Sequence, residues 1–337
     1  MSGARRRGLL RLVVLVVVVG WLVVLAAKTV LSGGSGTTST SVKAAGRQSA
    51  PPARVTAQTS SLRLPGPLHG ATAASTSDGL LVIGGADRSD TSTDQVLLLK
   101  AQPEGIAREG TLAQPLHDAA AATLGGHTIV FGGGASTTVD TVQELVPGGA
   151  AHQIGRLPST VSDLAAVGVG GAAYVLGGYD GQTPIASVLR TTDGRSFTNA
   201  GSIATGVRYA AVAALGQRIY AFGGELGTGA DTSVIQEYDT ATGHAQVVGH
   251  LPQTVSHAAA VVLDGSIYVL GGRRNGSASA QILRFDPTSH AAVPAGRLPS
   301  PVFDAAAGTV SGVGYLAGGI GAQGTSVDGI LTVRPSR

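Results

Sequence analysis

Eight polar residues lie at fixed distances from a Gly-Gly pair that recurs along the sequence. Together they could bind a polar ligand or transfer protons. Five of them lie fourteen residues before the first glycine of a pair: Asp118, Asp163, Tyr209, His257 and Asp304. Three more lie beside such a position or directly after a pair: Arg208, Glu225 and Arg273. Carboxylates and imidazoles serve as general acids and bases, and arginine binds oxyanions. These residue types indicate a binding site or an acid–base site, provided that the fold brings the repeated points together.

The glycine pairs mark a long internal repeat. Each pair ends a short apolar run, and the six copies read LVIGG, IVFGG, YVLGG, YAFGG, YVLGG and YLAGG. The first glycines stand at 84, 132, 177, 223, 271 and 318, so successive copies are 48, 45, 46, 48 and 47 residues apart. Such even spacing is typical of repeat architectures. Apolar alternation and Gly or Asp turns recur about every ten residues without a helical period, which predicts four short strands per unit.

The signature and its period resemble those of kelch repeats, as do the Tyr238-Asp239 and Phe285-Asp286 pairs of the third strands. The resemblance implies an all-β fold over residues 53–337: a six-bladed kelch-type β-propeller with four antiparallel strands per blade. One departure concerns the tryptophan usual in the fourth kelch strand. Ala245 and Ala292 occupy the matching positions, and Phe197 fills this role in the third blade. We therefore expect diverged blades packed with small residues.

In such a propeller, the loop entering the first strand of a blade and the loop leaving its second strand share one face. The resemblance therefore implies that the eight polar residues line the mouth of the central channel, where the related proteins often contact their partners. We expect them to form a ligand-binding rim. The alternative is that they only cap strand ends or hydrogen-bond neighbouring loops.

The glycines and the chain ends have structural explanations. A side chain at a glycine pair would collide with the backbone where neighbouring blades converge, and glycine also allows the positive φ of a tight strand exit. The last unit stops after three strands. We predict that residues 54–65 supply its fourth strand and close the ring, because closure removes an exposed edge.

The N-terminal segment differs from the rest of the chain. Arg5, Arg6, Arg7 and Arg11 precede an uncharged apolar run from Leu12 to Ala27. We predict a cytoplasmic basic tail over residues 1–8, a transmembrane signal-anchor helix over residues 9–31 and a flexible linker over residues 32–52. The protein would then be a single-pass cell-membrane protein with its propeller outside. A cleaved signal peptide is the alternative.

Composition narrows the possible partners. Residues 1–52 hold seven of the 23 Lys and Arg residues and no acid, so sixteen basic and twenty acidic residues remain for the propeller, a net charge of −4. This acidic balance argues against nucleic acid as a partner. The chain has no cysteine, which rules out cysteine-ligated metals and suits an exported domain stabilised by a large closed sheet. We expect neither a cofactor nor a metal site; a histidine metal site is the weaker alternative.

Two functions remain from different classes. The first is a membrane-anchored binding module that recognises an envelope protein or a glycan, since no compelling nucleophile–base pattern is present. The second is a carbohydrate-active enzyme of the sugar mutarotase type that uses acid–base side chains of the rim. The copper-radical sugar oxidases of similar proteins need a tyrosine crosslinked to cysteine, which this chain cannot form. A purely structural role in the envelope is a third possibility.

Overall fold

The computed structural model describes residues 54–336, and this part of the chain contains no helix that is long and apolar enough to cross a membrane. The tail, membrane helix and linker predicted over residues 1–52 lie outside the described residues. In chain order the strands are β1 (Val55–Arg63), β2 (Thr72–Ser75), β3 (Leu80–Ile83), β4 (Gln95–Ala101), β5 (Glu104–Thr111), β6 (Ala120–Leu124), β7 (His127–Phe131), β8 (Thr141–Glu144), β9 (His152–Arg156), β10 (Ala165–Val169), β11 (Ala172–Leu176), β12 (Ser187–Thr191), β13 (Thr198–Ser202), β14 (Ala211–Leu215), β15 (Arg218–Phe222), β16 (Val234–Asp239), β17 (Ala245–His250), β18 (Ala259–Leu263), β19 (Ser266–Leu270), β20 (Arg273–Arg274), β21 (Ser277–Ala278), β22 (Gln281–Asp286), β23 (Ala291–Arg297), β24 (Val302–Phe303), β25 (Ala306–Val310), β26 (Val313–Ala317), β27 (Ile320–Gly321) and β28 (Gly329–Pro335).

These strands form six four-stranded antiparallel sheets, which are the blades of a β-propeller. Blades 1 to 4 are β2–β5, β6–β9, β10–β13 and β14–β17 in sequence order. Blade 5 is β18-β19-β22-β23, and blade 6 is β25-β26-β28-β1. The four remaining strands are two-residue pairs in the connecting loops. The six-bladed, four-stranded architecture implied by the resemblance to kelch repeats is confirmed.

The N-terminal strand closes the ring, as predicted. β1 runs antiparallel to β28, from Val55 opposite Pro335 to Arg63 opposite Gly329. Val55 is buried in a cluster that also contains Leu298 of the loop after blade 5. Blade 6 is therefore built from both ends of the described chain, and the outer edge of β28 is covered by β1.

Small and aliphatic residues fill the spaces between neighbouring blades. Six hydrophobic clusters form the core, each drawn largely from adjacent blades. Aromatic rings contribute locally: Phe222 of blade 4 meets Phe285 of blade 5 edge-on with centroids 5.1 Å apart. Phe197, immediately before β13, packs edge-on against Phe131 of blade 2 at 6.2 Å. Ala292 is buried at the position where kelch repeats usually carry tryptophan.

The glycine pairs join each blade to the next. The second glycine of every pair donates its N–H to a carbonyl in the loop that enters the following blade, at 2.7 to 2.9 Å: Gly85 to Leu116, Gly133 to Val161, Gly178 to Val207, Gly224 to Val255, Gly272 to Val302 and Gly319 to Leu68. The first glycine lies against the same carbonyl. At Gly223, a Cβ would come within 2.1 Å of the Val255 oxygen, and φ is +62°. Both reasons proposed for the glycines are thus present.

We predict that Gly223→Ala destabilises the propeller far more than Gly216→Ala. Gly216 lies in the β14–β15 turn with nearly the same φ of +61°, but nothing stands within 4 Å of a Cβ there. Gly216→Ala should cost about 1–2 kcal/mol from its left-handed backbone alone. Gly223→Ala adds a collision with a backbone carbonyl, for a total of about 3 kcal/mol or more. Urea unfolding of the two variants measures the difference, and equal losses would contradict the inter-blade role of the glycine.

Candidate functional site

A closed ring of backbone hydrogen bonds surrounds the mouth of the central channel. Its members are the six residues fourteen positions before the glycine pairs: Gly70, Asp118, Asp163, Tyr209, His257 and Asp304. Each donates its N–H to the carbonyl of the preceding member, and Gly70 completes the circle by donating to Asp304, all at 2.7 to 3.1 Å. All six have left-handed backbones, with φ from +49° to +58°. The ring fixes the starting point of every innermost strand and places five polar side chains around one opening.

The ring and the innermost strands line a cavity of about 210 Å³. Beyond the polar ring its wall consists mainly of alanine, with runs such as 119–121 and 305–307 contributed by different blades. Six strands meet here at close range, so small side chains leave the channel open. The cavity therefore has polar groups at one end and an apolar wall behind them, which is the usual composition of a small-ligand site.

Three aspartates from different blades face this cavity in one electrostatic cluster. Asp118 accepts a long hydrogen bond of 3.4 Å from the Tyr209 hydroxyl. Burial, together with the negative charge of Asp163, raises the pKa of Asp118 to about 7. Burial also raises the pKa of Asp163, and burial with the nearby Asp118 raises that of Asp304 well above its ordinary value. The cluster therefore retains protons at pH values where ordinary aspartates have lost them.

His257 is held rigidly beside the cluster. Its ring stacks on Tyr209, with centroids 3.7 Å apart and an angle of 21°, and its Nδ1 is 2.8 Å from the Ser256 hydroxyl. Its Nε2 lies 3.9 Å from the Asp304 carboxylate, too far for a hydrogen bond. Burial, with smaller contributions from Arg273 and Arg208, lowers the pKa of His257 to about 3. The imidazole is neutral at physiological pH.

Two arginines are connected through one buried glutamate. Glu225 accepts hydrogen bonds from Arg208 of blade 4, whose Nε is 2.9 Å away, and from Arg273 of blade 5. Arg208 also approaches Asp163 at 3.5 Å, and Arg273 also bonds Asp231 at 3.1 Å. Burial opposes ionisation of Glu225, but the hydrogen bonds and charges of the two arginines lower its pKa overall. The network spans blades 3 to 5 and keeps both guanidinium groups engaged.

All eight residues singled out in the sequence lie at or beside the channel mouth. Asp118, Asp163, Tyr209, His257 and Asp304 line the cavity, while Arg208, Glu225 and Arg273 form the network next to it. Sequence reasoning missed Asp231, which pairs with Arg273. Its backbone bridge to Glu225 corresponds to that of Ser92 with Ala86 in blade 1, so alignment of the loops after the glycines could have found it. Within residues 54–336, no group of three or more acidic or histidine side chains is arranged to hold a metal ion.

Comparison with known proteins supports the architecture. Residues 255–291 match the family model described as the Kelch motif. The chain carries a kelch motif within a six-bladed β-propeller. Among solved structures, 618 chains match; that of YjhT has a TM-score of 0.71 at 16% sequence identity, and the match covers 82% of this chain and 99% of that one. At this identity the likeness concerns the fold alone. No curated protein matches the chain.

We predict that the raised pKa of Asp118 makes the wild-type propeller lose stability as pH rises from about 4 to 7. In this window the unfolded chain releases the proton at the ordinary aspartate pKa of about 4, whereas folded Asp118 retains it until about pH 7. The loss is at most about 1.4 kcal/mol per pH unit and ends above pH 7. Asp118→Asn, which tolerates the left-handed backbone, lacks this titration.

The melting temperature of Asp118→Asn relative to wild type should therefore rise between pH 4 and 7 and then level off. Asp78→Asn, which changes an exposed carboxylate in the β2–β3 turn outside the cavity, serves as the control and should track wild type. A constant offset between Asp118→Asn and wild type across the window would contradict the buried, protonated carboxyl.

Proposed function

We propose that this protein is an exported binding module whose channel mouth holds a small hydroxyl-rich ligand, a monosaccharide or the end of a glycan. The observation that carries the proposal is the convergence of three aspartates, Asp163 buried and Asp118 and Asp304 partly buried, on one cavity with Tyr209 and His257. A structural role does not need so many partly desolvated polar groups around an open space, because burying them costs free energy.

The chemistry of the ring suits such a ligand. Carboxylates accept hydrogen bonds from hydroxyl groups, and protonated carboxyls and the tyrosine hydroxyl also donate them. The cavity of about 210 Å³ has room for roughly seven water molecules at about 30 Å³ each. Binding would exchange these waters for ligand hydroxyls without leaving the carboxyls unpaired.

We further propose that the propeller lies outside the cell, tethered by a single-pass anchor over residues 9–31 through the linker 32–52. The support is the sequence: four arginines precede the apolar run, and no acidic residue occurs before residue 53. The partner would then be an envelope glycan, or an envelope protein that carries or resembles one. The net negative charge of the propeller disfavours nucleic acid.

A second function is favoured by one specific observation. Asp118, with a pKa of about 7, is poised to donate and accept protons near neutrality, which is what general acid–base catalysis requires. Interconversion of sugar anomers needs only this: a base takes the proton of the anomeric hydroxyl while an acid protonates the ring oxygen, and reclosure returns both protons. Asp118 with Asp163 or Asp304 would supply the two groups, as in an enzyme of the mutarotase type.

The test is a glycan-array experiment with the full-length protein and a variant carrying Asp118→Asn, Asp163→Asn and Asp304→Asn. We expect saccharide binding by the wild type and at least about tenfold weaker binding by the variant, because the hydrogen bonds to three carboxyls are lost. Asp78→Asn is the matched control. No saccharide binding by the wild type, or binding unchanged in the variant, would refute the proposed site.

The same proteins distinguish the two functions when anomer exchange of each bound sugar is followed by NMR. Exchange accelerated by the wild type and by Asp78→Asn, but not by Asp118→Asn, would make the protein a mutarotase. Saccharide binding without accelerated anomer exchange would support the binding-module function and contradict the mutarotase function.

A further inference from the structure

The carboxyls of the ring are unequally neutralised. Asp163 has Arg208 within 3.5 Å. Within the described residues, the only ionic contacts of Asp118 and Asp304 are with histidines, His117 at 4.0 Å and His257 at 3.9 Å. Burial lowers the pKa of both histidines, that of His257 to about 3. Neither imidazole supplies a positive charge at neutral pH, so no cationic side chain of the described residues lies within 4 Å of Asp118 or Asp304, and Arg208 and Arg273 act on them only from a greater distance.

These two carboxyls flank the one ring position without a side chain. The order around the ring is Asp304, Gly70 and Asp118, because Gly70 donates to Asp304 and accepts from Asp118. A Cβ on Gly70 would lie 2.6 Å from Asp118 Oδ1. The Asp118 carboxyl therefore occupies the space that a side chain at position 70 would take, and it lies close enough to Asp304 for its charge to raise the pKa of that group. All three residues line the cavity.

A buried nitrogen also faces the cavity without a partner. The side chain of His257 is only 6% exposed. Its Nδ1 is hydrogen-bonded to the Ser256 hydroxyl. Its Nε2 has no hydrogen-bond partner among the described residues, and this atom keeps some exposure to solvent. The atom is therefore reachable from the channel. Buried polar groups are normally hydrogen-bonded, so Nε2 adjacent to Asp304 marks a position for a ligand atom.

The arginines next to the cavity do not offset this excess of acid. Arg208 and Arg273 are both held by Glu225, and their remaining contacts go to Asp163 and Asp231. Together with Asp118 and Asp304, these side chains comprise five acids and two arginines. An anionic ligand would meet no uncommitted cation, whereas a cation would meet two carboxyls that have none.

We propose that the ligand carries a protonated amino group that lies between Asp118 and Asp304, with a neighbouring ligand group bonded to His257 Nε2. Amino sugars are the class that combines this charge with the hydroxyl groups that the rest of the ring suits. Sugars bearing a carboxylate are disfavoured, because the arginines beside the cavity are already paired with acidic side chains. The inference rests on the proposed binding of a hydroxyl-rich ligand and specifies the charge of that ligand.

The test compares three pyranoses of similar size by calorimetric titration of the full-length protein at neutral pH: D-glucosamine, D-glucose and D-glucuronate. We expect D-glucosamine to bind at least about tenfold tighter than D-glucose, because its ammonium group favours the ionised form of the two carboxyls and its hydrogen bonds to them are then charge-assisted. D-glucuronate should show no measurable binding. In Asp304→Asn, whose asparagine tolerates the positive φ, the preference for D-glucosamine over D-glucose should fall towards one, while Asp78→Asn keeps it.

The outcomes separate this inference from the proposed function. Equal or tighter binding of D-glucose or D-glucuronate overturns the amino-group inference and leaves saccharide binding standing. A preference for D-glucosamine that persists in Asp304→Asn also overturns it, because the selectivity would then arise elsewhere. Absence of binding by all three sugars overturns the inference, and saccharide hits on the glycan array decide separately whether the proposed function survives.

Discussion

The closed ring of six backbone hydrogen bonds at the channel mouth is the interaction on which the rest of the structure depends. Each blade contributes one residue to it, and each of these residues has a positive φ. For residues other than glycine this conformation costs roughly 1–2 kcal/mol. Five of the six ring positions are nevertheless occupied by Asp, Tyr or His. The ring hydrogen bonds and the adjoining strands hold the backbone in this conformation despite the cost. The polar side chains are therefore kept in fixed positions.

A second set of contacts makes the ring possible. The glycine pairs bind each blade to the loop entering the next, and these loops run directly into the ring residues. Neighbouring blades can approach this closely only where side chains are absent or small, hence glycine at the pairs and alanine along the innermost strands. The small alanine side chains also keep the channel open. The close packing of the blades therefore also creates the cavity. Its wall consists of small packing residues, and the polar residues of the ring lie at its mouth.

The sequence predicts the architecture well because its information is periodic. Six evenly spaced glycine pairs reveal the blades, and the three-stranded last unit reveals the role of β1. The same alignment finds the ring residues, because equivalent positions of a closed repeat must converge. It cannot reveal which side chains pair between blades: the hydrogen bond from Arg273 to Glu225 and the stacking of Tyr209 on His257 each join neighbouring blades. Distances between blades depend on loop conformations that no periodicity encodes.

The proposed functions rest on aspartates that are desolvated together at one opening. The direct measurement is a titration of the aspartate side-chain carboxyls by carbon NMR, with the Asp118 signal assigned from Asp118→Asn. The structure predicts that Asp118 titrates at about pH 7 and that Asp163 and Asp304 titrate above the ordinary value. If all three carboxyls titrated together at the model-peptide pKa of about 4, they would be solvated and separate, and the ring would not be the desolvated site described above.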